Sequence, residues 1–209
     1  MKIILNLLKS VYLLTFITFL VSCNVTYVIK QPNISEIIEN KIQNDDKFLS
    51  EDILLYVDIK SQSLFLLKKG QVFKKYIISS SKYGTGNKEG SLQTPLGIHY
   101  IKHKIGEDLP FGAILKGRAW SGDIADIITT PFDAEYDHVT SRILWLQGYE
   151  EGINKGPGID SFDRFIYIHG TAEEGLIGQP ASDGCIRMYN DDVIELFNIV
   201  MKNTQVLIY

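Results

Sequence analysis

Cysteine is nearly absent from this sequence, with only Cys23 and Cys185 in 209 residues. Two thiols cannot build the disulfide framework of a small secreted scaffold. Histidine is scarce as well, with four residues in all. His99 and His103 lie four apart on a predicted strand and are expected to share a face, with His138 further on. The spacing matches no ordinary zinc pattern, so no metal and no cofactor is expected. Basic charge is in deficit, at 21 Lys and Arg against 25 Asp and Glu, a formal charge of −4. Nucleic-acid binding needs clustered Lys and Arg, and no basic patch stands out. No two acids are singled out as a glycosidase pair. There is no internal repeat or low-complexity tract. The apolar run Val11 to Val21 is eleven residues long, short of the ~20 that cross a bilayer as a helix.

What is present begins with that run. Lys2 and Lys9 precede it and Leu20-Val21-Ser22-Cys23 closes it, the pattern of a secretory signal. The closing tetrad resembles a bacterial lipobox, in which cleavage precedes the cysteine and the thiol takes diacylglycerol. An uncleaved anchor, or an ordinary signal with an incidental cysteine, remains open. The expected division is a signal over 1–22, a tether over 23–50 and a catalytic domain over 51–209. Lys2 and Lys9 leave with the signal, so the mature chain carries 19 basic and 25 acidic side chains, a charge of −6. Within the tether, Asn33 caps a short helix whose stripe is Ile34, Ile37, Ile38 and Ile42.

From Ile53 the pattern is β. Strands are predicted over Ile53–Ile59, Ser63–Lys68, Val72–Ser79, Gly97–His103, Arg142–Gln147, Arg164–His169 and Gln205–Tyr209. One helix is predicted over Asp191–Lys202, capped by Asn190, with Asp191 and Asp192 in its first turn. Lys104 to Ser141 and 149 to 163 show no clear strand, and loops this long read as a lid. The fold class is therefore mostly β, with one helix near the C-terminus and long lid loops. Glu173, Glu174, Asp160 and Asp163 are expected on a solvated face. His99 and His103 are expected at the surface or in a lid, and Trp120 and Trp145 in packing.

A lone cysteine and a lone histidine would read as core residues. Their setting argues otherwise. His169 ends the alternating run Ile166-Tyr167-Ile168, and sixteen positions on comes Cys185, within Ser182-Asp183-Gly184-Cys185-Ile186-Arg187-Met188. A thiol needs a base to become a good nucleophile, and imidazole is the usual one. With Cys23 committed to lipid, Cys185 stays free in a disulfide-permissive compartment, which is unusual for a thiol without a use. A Cys23–Cys185 disulfide is the competing arrangement.

The order His169-Gly170-Thr171 followed by Ser182-x-Gly184-Cys185-x-Arg187, with Thr94-Pro95-Leu96-Gly97 well upstream, resembles the L,D-transpeptidases, the YkuD-type catalytic domain of bacterial cell-wall enzymes. The resemblance runs from about Leu55 to Tyr209. It implies a β-sandwich-like domain with the cysteine at the end of a cleft. It also implies peptidoglycan stem peptides as donor and acceptor, a thioester on Cys185, and release of D-Ala as a 3→3 crosslink forms. Relatives that hydrolyse the same bonds, or join proteins to the wall, keep those alternatives open. So does a non-catalytic wall-binding lipoprotein. Carried onto this chain, Cys185 is the nucleophile and His169 the base. Gly184 and Cys185 N–H groups form an oxyanion hole, and the Gly170 carbonyl holds the imidazole tautomer. Ser182 fixes the loop. Arg187 lowers the thiol pKa, holds a substrate carboxylate or forms a structural ion pair. Tyr167, Thr171 and Asp183 are candidate substrate contacts. Thr94 to Gly97 is a turn setting the next strand. Asp183 departs from the family, where His is common; a carboxylate facing the sulfur would raise the thiol pKa. The implied place is the bacterial envelope, outside the cytoplasm, held by a lipid.

Overall fold

The structure is a computed structural model that describes residues 52–135 and 137–209. The expected signal, Cys23 and the helix expected after Asn33 lie outside the described residues.

Among the described residues there are ten strands and one α-helix. In chain order they are β1 (Ile53–Asp58), β2 (Ser63–Lys68), β3 (Gln71–Ser79), β4 (Gly97–Ile105), β5 (Ala113–Lys116), β6 (Ala119–Ile124), β7 (Val139–Gly148), β8 (Tyr167–Thr171), β9 (Ile186–Met188), α1 (Asn190–Ile199) and β10 (Gln205–Ile208). Neighbours in the sheet follow the order β4-β10-β1-β2-β3-β9-β8-β7-β5-β6, and β4 also pairs with β7. That extra pairing closes eight strands into a ring, a sandwich-like sheet, with β5 and β6 as a hairpin off β7. Closure leaves the ring without an open edge. All pairings are antiparallel except β1 with β10 and β8 with β9.

Alternation along the strands sorts side chains between two faces. Leu55, Leu64, Leu144, Ile168, Ile186 and Val206 fall in one buried cluster, together with Val193, Leu196 and Phe197 of α1. Each such side chain contributes about 1.5–3 kcal/mol by leaving water. A second cluster, with Ile143, Trp145 and Tyr167, lies on the opposite face of β7 and β8, and Cys185 packs against it.

Three expectations are corrected. The helix is shorter than Asp191–Lys202. Tyr189 stands at its N-cap without a side-chain cap, and Asn190 is buried inside the first turn. The helix stops at Ile199, and Lys104 Nζ donates to the Phe197 and Val200 carbonyls at 2.6 and 2.7 Å. A cation on the last carbonyls complements the helix dipole. The stretch Lys104 to Ser141 holds the β5–β6 hairpin. All six residues of β6 are exposed, so no burial alternation marks it. Finally, His99 and His103 do not share a face. A bulge between Ile101 and His103 sets His103 opposite Trp145, whereas Ile101 lies opposite Leu146. The extra residue turns His103 to the other side of the sheet. His99 is fully buried, with Nδ1 3.0 Å from the Gly97 carbonyl and Nε2 2.9 Å from Ser161 Oγ.

Leu144 sits on β7, which pairs with β4, β5 and β8. Leu144→Ala is expected to cost about 2–5 kcal/mol by leaving a cavity in the ring. Urea unfolding should show a lower midpoint with an unchanged slope.

Candidate active site

Strands β8 and β9 run side by side, with Ile168 opposite Ile186, His169 opposite Arg187 and Gly170 opposite Met188. Ile168, Ile186 and Met188 face the ring interior. Alternation therefore puts Tyr167, His169 and Thr171 on the outer face, together with Cys185 and Arg187. Cys185 lies beside Tyr167, whose N–H donates to Sγ at 3.4 Å; the thiol in turn donates to the Phe165 carbonyl at 3.4 Å. His169 is one pleat further on, so imidazole and sulfur are diagonal neighbours on one face. Among the described residues Cys185 forms no disulfide.

His169 is buried, with Nδ1 2.7 Å from the Gly170 carbonyl. A carbonyl can only accept, so Nδ1 carries the proton and Nε2 keeps its lone pair. Gly170 is required by space. A Cβ there would stand 2.6 Å from Asn190 Oδ1 and 2.8 Å from the Thr140 carbonyl. Gly184 is required by conformation, at φ +121, which favours glycine.

The turn before Cys185 is clamped to the end of β3. Ser182 is buried; its Oγ donates to the Cys185 carbonyl at 2.6 Å and accepts the Gly184 N–H at 3.3 Å. Its own N–H donates to the Ser80 carbonyl at 2.9 Å, and its carbonyl accepts the Lys82 N–H at 3.0 Å. Asp183 stands in this turn and not on β9. It points outward and pairs with Lys82 at 3.3 Å. Thr94 accepts the Ser81 N–H at 3.0 Å and leads into β4.

Arg187 is fully buried. Its Nη1 lies 2.6 Å from Glu173 Oε2 and 3.1 Å from Asp137 Oδ2. Thr171, also fully buried, donates its hydroxyl to Asp137 Oδ1 at 3.0 Å and accepts the Glu173 N–H at 3.0 Å. Glu173, expected in solvent, is therefore a buried counter-ion. Glu174 is engaged too, since Oε1 accepts both the backbone and side-chain N–H of Asn190 at 2.8 Å. Asn190 is a hub. It donates to the Thr171 carbonyl at 2.8 Å and accepts from Thr140 and Ser141 hydroxyls at 2.7 and 2.5 Å. Sequence reasoning missed Asp137 and Glu173 as site residues and gave Asn190 only a capping role. The available signal was Arg187 itself, a charged residue on a strand face beside the candidate nucleophile, which needs carboxylate partners once buried.

Electrostatics set the resting state. Burial lowers the His169 pKa, with Asp137 opposing. Burial pushes the Cys185 thiol up to about 12; the Tyr167 N–H pulls it down, Asp137 raises it, and Arg164 and Arg187 lower it. Cys185 keeps part of its surface exposed, but the sulfur packs on the aromatic wall, where a thiolate would be poorly hydrated. The pair therefore rests as neutral thiol and neutral imidazole. The carboxylate that acts on the sulfur is Asp137, while the charge of Asp183 is balanced by Lys82.

Trp145 stacks on Phe162 at 4.0 Å and meets Tyr167 edge-on at 5.5 Å. Arg118, in the β5–β6 turn, lies 4.8 Å over Trp145 and donates to the Tyr167 hydroxyl at 3.3 Å. Trp120, expected in packing, is exposed on β6. A pocket of about 290 Å³ on the cysteine side is lined by Glu89, Leu92, Arg164, Phe165, Ile166 and Asp183. Another of about 330 Å³, beyond Thr171, includes Ile114, Asp126, His138 and Ala172 in its lining.

Residues 52–208 match the family described as the L,D-transpeptidase catalytic domain, YkuD. The Bacillus subtilis protein YqjB is 49% identical over 45 residues, 22% of this chain and 26% of that protein. YkuD of Bacillus subtilis is 56% identical over 41 residues, 20% of this chain and 25% of that protein. The matched stretch thus spans about a quarter of either relative. Among solved structures, an L,D-transpeptidase from Mycobacterium smegmatis aligns with a TM-score of 0.45 and 15% identity, over 76% of this chain and 58% of that one.

Two outcomes are expected of this site. In the full chain carrying Cys23→Ser, alkylation of the remaining thiol by iodoacetamide should still accelerate above pH 10. Asp137→Asn should shift that profile down by about one pH unit, because a negative charge beside the thiolate is gone; Asp183→Asn should leave it in place. Arg187→Met should cost about 3–5 kcal/mol in chemical unfolding, because Glu173 is left charged and unpaired.

Proposed function

The chain belongs to the YkuD-type L,D-transpeptidase catalytic-domain family, and we propose that it is a cysteine acyltransferase acting on peptidoglycan stem peptides. The observation that carries the reading is geometric. The Cys185 thiol shares one face of β8 and β9 with an imidazole whose Nδ1 is tied to the Gly170 carbonyl. That leaves Nε2 as the base.

Cys185 attacks the carbonyl of the third residue in a donor tetrapeptide while Nε2 of His169 takes the thiol proton. Oxyanion charge develops beside the Cys185 N–H and, once Ser182 releases it, the Gly184 N–H. His169 returns the proton to the departing D-Ala amine, leaving a thioester. An acceptor amine then loses its proton to His169 and takes the acyl group, giving a 3→3 crosslink or a protein–wall bond. Tyr167 lines the aromatic wall beside the sulfur. Thr171 and Arg187 act from behind, by holding Asp137. Asp183 stands at the rim of the cysteine-side pocket, where substrate enters. A lipid on Cys23 and a tether over 23–50 would hold the domain to a membrane on the extracytoplasmic side of the envelope.

The full chain, incubated with purified tetrapeptide muropeptides, should gain the mass of an acyl group on Cys185 with loss of D-Ala, and dimers should follow. Cys185→Ala should abolish the adduct, and His169→Gln should slow its formation by about 10²–10⁴. Monomeric products alone would establish a hydrolase in its place. No adduct, together with undiminished wall binding by Cys185→Ala, would establish a binding module.

A further inference from the structure

The β2–β3 turn gathers charge that the composition hides. Lys68, Lys69, Lys74 and Lys75 bracket it, in a chain whose formal charge is −4. Lys74 is taken by Glu195 at 2.5 Å. Among the described residues, Lys68, Lys69 and Lys75 form no ion pair with a carboxylate. Between them Val72 and Phe73 stand out, 45% and 58% exposed. The Lys68 ammonium lies 3.6 Å above the Phe73 ring. Beside the turn is an open recess of about 600 Å³, lined by Asp52, Ile53, Lys68, Lys69 and Gln71. Counting Asp52 against the three lysines leaves a local charge of +2.

Position adds a second argument. The chain reaches the domain at Asp52, whose carbonyl accepts the Lys69 N–H at 3.0 Å. Sequence continuity therefore puts the attachment point of residues 1–51 beside this turn. The other end of β3 meets the active site. Ser79 Oγ lies 3.4 Å from Arg187 Nη2, and Ser81 bridges to Ser182. Nine residues of strand put roughly 25 Å between the two ends.

We propose that the β2–β3 turn docks on an anionic phospholipid surface. Phe73 and Val72 enter the headgroup boundary while Lys68, Lys69 and Lys75 reach lipid phosphates, as amphipathic side chains do at such an interface. Two exposed apolar side chains are too little for a protein partner, which needs roughly 800 Å² per side. Docked this way, the domain turns Cys185 away from the bilayer. The proposal does not rest on the acyl-transfer chemistry, and it survives if Cys185 proves inert.

The test uses the full chain with Phe73→Trp, reconstituted in phosphatidylcholine vesicles with and without phosphatidylglycerol, all lipids brominated. The parent chain, with Trp120 and Trp145, supplies the background. The added emission should shift to the blue and be quenched only in the vesicles with phosphatidylglycerol. Lys68→Glu combined with Lys69→Glu, or high salt, should abolish the quenching while the chain stays vesicle-bound. Equal quenching in both vesicles would overturn the proposal, because tethering alone would then explain contact. So would absent quenching, including the case where isolated wall polymer instead protects these lysines from acetylation.

Discussion

A parallel pairing three residues long holds the candidate dyad together. Because β8 and β9 run in the same direction, Tyr167 and Cys185 fall side by side, as do His169 and Arg187. No hairpin can join parallel strands, so the chain must travel over the surface from Ala172 to Gly184 before returning. That excursion is where Glu173 turns back to meet Arg187, at 2.6 Å. The loop that the topology demands thus supplies the counter-ion that the strand demands. Asp137 closes the group from the other side, held by Thr171.

The buried charges and the neutral dyad belong together. Burial disfavours charge on both His169 and Cys185, so the sulfur is not held as a ready thiolate. Asp137 raises the thiol pKa and also favours a charged imidazole. In the proposed reaction its effect reverses once the sulfur has bonded to the substrate carbonyl carbon. In that tetrahedral intermediate no thiolate remains to repel, and the same carboxylate stabilises the imidazolium that must donate to the leaving amine. Arg187, countered by two carboxylates, contributes architecture more than field.

Much of the fold was legible in the sequence. β1 to β4, β7, β8 and β10 announced themselves through short β-rich runs, and Cys185 and His169, singled out by their motifs, project from one face of β8 and β9. What stayed hidden had physical causes. β6 has no buried residue, and β9 is three residues long. The bulge that separates His99 from His103 leaves no trace in spacing. Glu173 and Asn190 looked like loop and cap residues because charge and amides default to solvent and to helix ends. Only the buried partners, Arg187 in one case and Thr140, Ser141 and Thr171 in the other, reverse that default.

Closure of the ring has a consequence for assembly. β10, formed by Gln205–Ile208, lies between β1 and β4, so the last strand in the described chain fills the gap beside the first. Until those residues are available, Leu55 and Val57 lack a neighbour on that side, and β4 cannot reach them. Closure of the ring therefore waits for Gln205–Ile208 to pair with strands distant in sequence, and such long-range pairing is slow to form.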